Sequence, residues 1–261
     1  MHFFRFTGPG TTIWAVIFLP NLQSRQDEYI IATGSSDSVI AIWSVPMTAL
    51  TQSPQLYEST TPIRLLRGHT DCVRSLSLLD NDRLLSASND GSLRCWSLDS
   101  GTCLIEFYGH TSFVYCVTVD PAHQFIVSSG EDRTVRVWPI PNATVHSVQQ
   151  LECKQTIFLP CQTAWCAVVT NDGDIAVGCR CVINLLLVVY SFFFIFCFFI
   201  LFCFSDGKIR LFSRNPERQA SDAELETYDA ELASFQVAEG TLGEINKHNL
   251  PGVEALVVPG V

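Results

Sequence analysis

The chain repeats itself at a spacing of about forty residues. Gly68-His69-Thr70-Asp71-Cys72-Val73 recurs as Gly109-His110-Thr111-Ser112-Phe113-Val114, and Leu84 to Trp96 recurs as Ile126 to Trp138. His69 and His110 lie 41 positions apart; Asp90 and Asp132, and Trp96 and Trp138, lie 42 apart. Several landmarks at one spacing mark a repeated supersecondary unit, and such a unit buries its apolar face only by stacking on its neighbours. Within each unit, short runs rich in β-branched residues are broken by polar turns, the signature of successive short strands.

A Gly-His opening and a Trp near the end resemble the WD repeat. That resemblance implies a four-stranded blade in which His, Ser, Asp and Trp form one hydrogen-bonded chain. The residues concerned are His69, Ser86, Asp90 and Trp96, then His110, Ser128, Asp132 and Trp138. The chemistry suits the assignment, since an Asp accepts from imidazole and backbone while an indole N–H donates to a hydroxyl. A catalytic His/Asp/Ser triad is the competing reading. It is set aside because the trio recurs and neither Ser sits on a nucleophile elbow.

A further unit lies upstream, with strands expected around Ile13-Trp14-Ala15-Val16, Ile31 to Asp37 and Ile40 to Trp43. Its Gly-His is replaced by Gly8-Pro9, so its polar chain lacks the imidazole. Pro46 to Pro62 reads as an exposed insertion. Another unit runs through Ile157 to Pro160, Ala164 to Val169 and Asp172 to Cys179, and then breaks. The fold expected is all-β: a partial WD-repeat β-propeller of about four blades, with a C-terminal amphipathic helix.

The break is a run of 23 uncharged residues, 182–204. Its length suits a membrane-spanning helix. Three features favour a retained intron read in frame. The run interrupts a blade; eight of its residues are Phe and none is Gly, Ala, Thr or Met, a bias that thymine-rich codons produce; and removing 180–204 joins Val177-Gly178-Cys179 to Ser205 through Phe212. The joined line matches Ser86 to Trp96 position for position, with Phe212 in the Trp slot.

The net charge of −10 disfavours nucleic acid as a partner. The 11 cysteines show no CxxC pair and no zinc-ligand spacing, and most sit singly in apolar runs, as reduced structural thiols do. A reducing compartment follows. Met1-His2-Phe3-Phe4 followed by Arg5 does not open a signal peptide. No phosphate loop, metal cluster or activated nucleophile stands out, so no enzyme activity, metal or cofactor is expected.

After Phe212 the pattern turns helical. Ser221 and Glu224 form a capping box, and Leu225, Tyr228, Leu232 and Phe235 recur at helical spacing. Tyr108-Gly109-His110-Thr111, Leu159-Pro160 before Trp165-Cys166, Asn171-Asp172-Gly173-Asp174-Ile175 and Gly243-Glu244-Ile245-Asn246 with Leu250-Pro251-Gly252 resemble the phospholipase A-2-activating protein family. The resemblance implies a seven-bladed propeller, a central ubiquitin-binding domain and a helical-repeat domain that docks on the valosin-containing AAA ATPase. It divides the chain into blades at 1–212 interrupted by 180–204, a linker and helix at 213–240, and the start of the central domain at 241–261. On that reading the chain is a fragment, and the ATPase would be reached only through a domain outside it. The resemblance also implies a cytoplasmic or nuclear protein in ubiquitin-dependent catabolism. The alternatives are a generic WD scaffold with another partner, or a single-pass membrane protein if 182–204 is translated and inserted.

In such repeats the residues flanking the first strand's aliphatic, and the residue before the turn Asp, reach one rim. They are Thr12, Trp14 and Ser36; Cys72, Arg74 and Asn89; Phe113, Tyr115 and Glu131; Thr163, Trp165 and Ser205. The expected ligand of that rim, by resemblance, is ubiquitin. Sequencing the transcript across codons 179–206 is expected to show a product that joins Cys179 directly to Ser205; a transcript carrying the run in every copy would sink the intron reading.

Overall fold

The computed structural model describes residues 4–6, 11–20, 28–46, 57–59, 61–141, 149–171, 173–180, 209–213, 222–239 and 254–258. Its strands form four blades. The first is β2 (Ile13–Leu19), β3 (Glu28–Ser35), β4 (Ile40–Pro46) and β6 (Arg64–Leu66). The second is β7 (Val73–Leu78), β8 (Arg83–Ser88), β9 (Leu93–Ser97) and β10 (Cys103–Phe107). The third is β11 (Val114–Val119), β12 (Phe125–Gly130), β13 (Thr134–Pro139) and β15 (Gln155–Phe158). The fourth is β16 (Thr163–Val169), β17 (Ile175–Arg180), β18 (Ile209–Ser213) and β19 (Glu254–Val258). All pairings within these sets are antiparallel. The first strands lie side by side in the order β2, β7, β11, β16, an open series of blades about one axis.

Apolar residues fill the spaces between blades. Ile30, Ala32, Ile40 and Ile42 of blade 1 meet Val73, Leu84 and Trp96 of blade 2. Leu85, Ala87, Leu93 and Phe107 meet Val114, Ile126 and Trp138 of blade 3. Val127, Val135 and Ile157 meet Ala164, Ile175, Val177 and Phe212 of blade 4. An inner blade is covered on both faces, so Leu84 to Ser88 are all buried, and β8 shows no polar-out alternation. Arg64 Nη1 adds a polar strap between blades 1 and 2, donating to the Leu98 carbonyl at 2.8 Å and to the Asp99 carbonyl. Arg83 Nη1 does the same between blades 2 and 3, reaching the Pro141 carbonyl at 2.8 Å.

The repeat in the sequence is not the blade. Each Gly-His follows an outer strand that pairs with the preceding blade, as β6 before His69 pairs with β4. Ile157-Phe158, read from sequence as opening the fourth unit, closes the third blade through β15. One repeat therefore spans two blades, which ties neighbours together covalently as well as by packing.

Other elements depart from the sequence reading. The insertion at 46–62 contains β5 (Tyr57–Ser59), which pairs in parallel with β1 (Phe4–Phe6). β14 (Gln149–Leu151) adds a parallel fifth strand to blade 2. Residues 254–258, assigned from sequence to the start of the next domain, pair with β18 as the outer strand of blade 4. The helix α1 (Asp222–Glu239) forms where the periodicity places it, but its apolar stripe is only partly used. Tyr228 packs edge-on against Phe212, at 6.3 Å between centroids, and its hydroxyl donates to the Phe158 carbonyl. Leu225 remains 39% exposed, so this part of the stripe faces solvent. The Ser221 half of the capping box lies outside the described residues, as does Phe235's side chain.

The pairing of β17 with β18 bears on the apolar run. Val177 opposes Arg210, Gly178 opposes Ile209 and Ile175 opposes Phe212. Ser86 opposes Arg94, Ala87 opposes Leu93 and Leu84 opposes Trp96 in the same way. The blade thus keeps the register of the joined sequence, although 181–208 separate its two strands; the run itself lies outside the described residues. Among the described residues no helix is long and apolar enough to cross a membrane. Shortening the connection to Ser205–Lys208 matches the Asn89–Ser92 turn and lowers the loop-closure cost by about 2 kcal/mol. A variant lacking 180–204 is expected to melt at a higher temperature than the full chain; a lower melting temperature would sink the alignment of blade 4.

Candidate functional site: buried polar chains beneath an aromatic rim

In blade 2, Trp96 Nε1 donates to Ser86 Oγ at 2.8 Å, Ser86 Oγ shares a hydrogen bond with His69 Nε2 at 2.7 Å, and His69 Nδ1 reaches Asp90 Oδ2 at 2.7 Å. Blade 3 repeats the chain through Trp138, Ser128, His110 and Asp132 at 2.8, 2.7 and 2.8 Å. Each Asp also collects backbone and hydroxyl donors. Thr70 N and Ser92 Oγ serve Asp90 at 3.0 and 2.7 Å; Thr111 N and Thr134 Oγ1 serve Asp132 at 3.1 and 2.8 Å. Ser92 and Thr134 were missed from sequence, although each stands two places after its Asp. In blade 1, Thr33 takes the hydroxyl's place and accepts from Trp43 Nε1 at 2.9 Å.

Electrostatics follow from burial. Burial lowers the pKa of His110, outweighing the pull of Asp132, so a neutral imidazole donates through Nδ1 and accepts at Nε2. Burial alone would raise Asp132, but hydrogen bonds from His110, Thr134 and the Thr111 amide outweigh it and hold the carboxyl below its usual range. Asp90 is held well below that range against its own burial by His69, Ser92 and the Thr70 amide. Burial pushes the Cys95 thiol up to about 12 and Cys116 up to about 11, which keeps both protonated and inert. Among the described residues no cluster of His, Cys, Asp or Glu is arranged to hold a metal.

These polar chains are closed to substrate. Ser86 and Ser128 are fully buried, and each hydroxyl is already engaged by an indole and an imidazole. Their effect is to fix the turns that carry the rim above them.

The rim itself is built by bulges. In every blade the first strand slips register by one residue, between Ile13 and Ala15, Val73 and Ser75, Val114 and Cys116, and Ala164 and Cys166. The residues at the slips are Trp14, Arg74, Tyr115 and Trp165. A bulge bends its strand and re-aims the extra side chain. Here all four come together in one stack. The Arg74 guanidinium lies 3.9 Å from the Trp14 ring centroid and 5.6 Å from that of Tyr115. Tyr115 stacks on Trp165 with centroids 4.4 Å apart and planes at 26°. Phe113 meets Tyr115 edge-on at 6.3 Å. Gly130 is required here, since a Cβ would fall 2.5 Å from the Phe113 carbonyl oxygen.

Of the remaining rim candidates, Asn89 bonds to the stack, while Glu131 and Ser36 bond within their own loops. Asn89 Oδ1 accepts from Arg74 Nε at 2.9 Å; Glu131 accepts from Ser112 Oγ at 2.8 Å; Ser36 Oγ accepts from Thr12 N at 3.1 Å. Trp14 is 50% exposed, and Phe113 and Trp165 are each 37% exposed, so all three present apolar surface to solvent. Cys72 and Thr163 are buried, and Ser205 lies outside the described residues.

Comparison with known proteins agrees with this architecture. The family model described as WD domain, G-beta repeat, matches residues 60–97 and 101–139. The ubiquitin homeostasis protein lub1 of Schizosaccharomyces pombe is 32% identical over 198 residues, 76% of this chain and 22% of lub1. The WD repeat-containing protein pop1 of the same yeast is 39% identical over 109 residues, 37% of this chain and 14% of pop1. The crystal structure of the WD40 β-propeller domain of Doa1 superimposes with a TM-score of 0.51 at 30% identity, covering 68% of this chain and 51% of that domain. The chain thus spans about a fifth of lub1 and half of the Doa1 domain.

The repeats, blades and rim define a WD-repeat protein. Its likeness to lub1 and to the Doa1 propeller makes it, more particularly, one similar to the phospholipase A-2-activating protein family.

The buried chains carry a pH signature. His110 titrates lower when folded than its unfolded value of about 6.5, so its contribution is complete above about pH 6.5 and is lost as pH falls below it. Asp90 and Asp132 are likewise depressed, and their contribution is lost as pH falls below about 4. Denaturant midpoints are expected to fall in two steps on acidification, and His110→Gln is expected to remove much of the first. A midpoint flat from pH 7 to 5 would contradict the burial of a neutral imidazole.

Proposed function

We propose that the chain is a non-catalytic protein-interaction module of the ubiquitin pathway, and that its rim binds ubiquitin. The observation that carries the reading is the stack of Trp14, Arg74, Tyr115 and Trp165, one residue from each of four blades. Aromatic and Arg side chains held rigid at the centre of a surface are the usual carriers of binding energy between proteins, because little freedom remains to be lost. Kinship with a protein named for ubiquitin homeostasis supports the choice of ligand. The enclosed Ser hydroxyls argue against hydrolytic chemistry.

Any contact with an AAA ATPase belongs, in this proposal, to a part of the protein outside the present chain. A reducing compartment, cytoplasm or nucleus, suits the free thiols of Cys72, Cys95 and Cys116. Immobilised mono-ubiquitin is expected to retain the chain, and Trp14→Ala and Tyr115→Ala are each expected to weaken retention by roughly tenfold or more. Equal retention of both variants would remove ubiquitin from the rim and leave a WD scaffold with another partner.

A further inference from the structure

We infer that Arg74 makes the rim selective for an acidic contact: the partner it binds places an Asp or Glu side chain, set within an apolar patch, against the guanidinium. The inference rests on the rim being a protein-binding surface and adds the chemistry of what it takes. Arg74 is held on three sides, by the Trp14 ring at 3.9 Å, the Tyr115 ring at 5.6 Å and the Asn89 carbonyl oxygen at 2.9 Å from Nε. Its Nη1 and Nη2 atoms have no hydrogen bond or ion pair among the described residues, and neither is among the buried atoms left without a partner. The half-buried side chain therefore turns that edge to water.

Three carboxylates in the loops of this rim bond to other donors and not to Arg74. Asp37 Oδ1 accepts from Val39 N at 3.0 Å, Asp71 Oδ1 from Cys72 N at 2.6 Å, and Glu131 Oε2 from Ser112 Oγ at 2.8 Å. The cation in the stack is the charge with donors to spare. A guanidinium fixed in plane by rings presents two parallel N–H donors, the pattern that a carboxylate accepts bidentately. Trp14, Phe113 and Trp165 then supply the apolar contact around that pair. On a chain with net charge −10, this centre is where an incoming acid is favoured rather than repelled.

The test is a random library of short displayed peptides selected on the immobilised full chain, on Arg74→Met and on Arg74→Lys. Met keeps an unbranched stem between the rings without donors; Lys keeps the charge without the planar fork. Matching melting temperatures exclude loss of fold, and Arg74→Lys serves alone if Arg74→Met does not fold. Peptides selected on the parent chain are expected to be enriched in Asp or Glu beside apolar residues. Replacing that acid by its amide should weaken binding to the parent about tenfold, to Arg74→Lys less, and to Arg74→Met less than twofold. Selected peptides without acid enrichment, an equal loss on parent and Arg74→Met, or no peptide sensitive to Trp14→Ala would each overturn the inference. Acid-selective peptides together with no capture of mono-ubiquitin would reject the ubiquitin reading alone.

Discussion

A buried hydroxyl that serves an indole and an imidazole at once holds each inner blade together. Ser86 joins Trp96 on β9 to His69 in the loop before β7, and His69 carries the connection to Asp90 in the β8–β9 turn. A polar group in such a place would cost 1–3 kcal/mol if left unpaired, so the chain of bonds is nearly all-or-none. It fixes the turn at Asp90 and the loop at His69 to one another. The neighbouring blade can then pack on a face that does not shift.

That rigidity is what makes the rim possible. Four slips of register, one per blade, lift Trp14, Arg74, Tyr115 and Trp165 out of the regular alternation. A single bulge would expose one side chain to solvent and gain little. Set on adjacent blades whose inner strands lie side by side, the four meet as a stack whose members restrain one another. The stack is thus a property of the array and of no single repeat.

Blade 1 and blade 4 show how far the motif can drift. Blade 1 keeps the indole but bonds it to Thr33, whose hydroxyl does the work of Ser86. Blade 4 puts Phe212 in the indole's place, and Phe212 is buried against Tyr228 of α1 instead of donating a hydrogen bond. Packing replaces polarity there, and the outer strand comes from far along the chain, at 254–258. Strand pairing across the apolar run keeps the register of the other blades because that register is set by which faces are buried, and a slip of one residue would turn every side chain to the wrong side.

From the sequence alone the repeat, the strands and the His–Ser–Asp–Trp residues were legible, because each depends on local spacing and side-chain chemistry; of the rim expected from sequence, Cys72 and Thr163 are buried. Ser92, Thr134 and Thr33 were overlooked, since a hydroxyl in a turn or a strand is common and shows its role only through its partner. The offset between repeat and blade, the parallel pairs β1–β5 and β10–β14, and the exposure of Leu225 on α1 were not legible. They depend on which surfaces meet at long range. The same holds for the stack: Trp14 and Arg74 are 60 positions apart in the chain, and only the bulges and the packing of blade against blade bring an indole over a guanidinium.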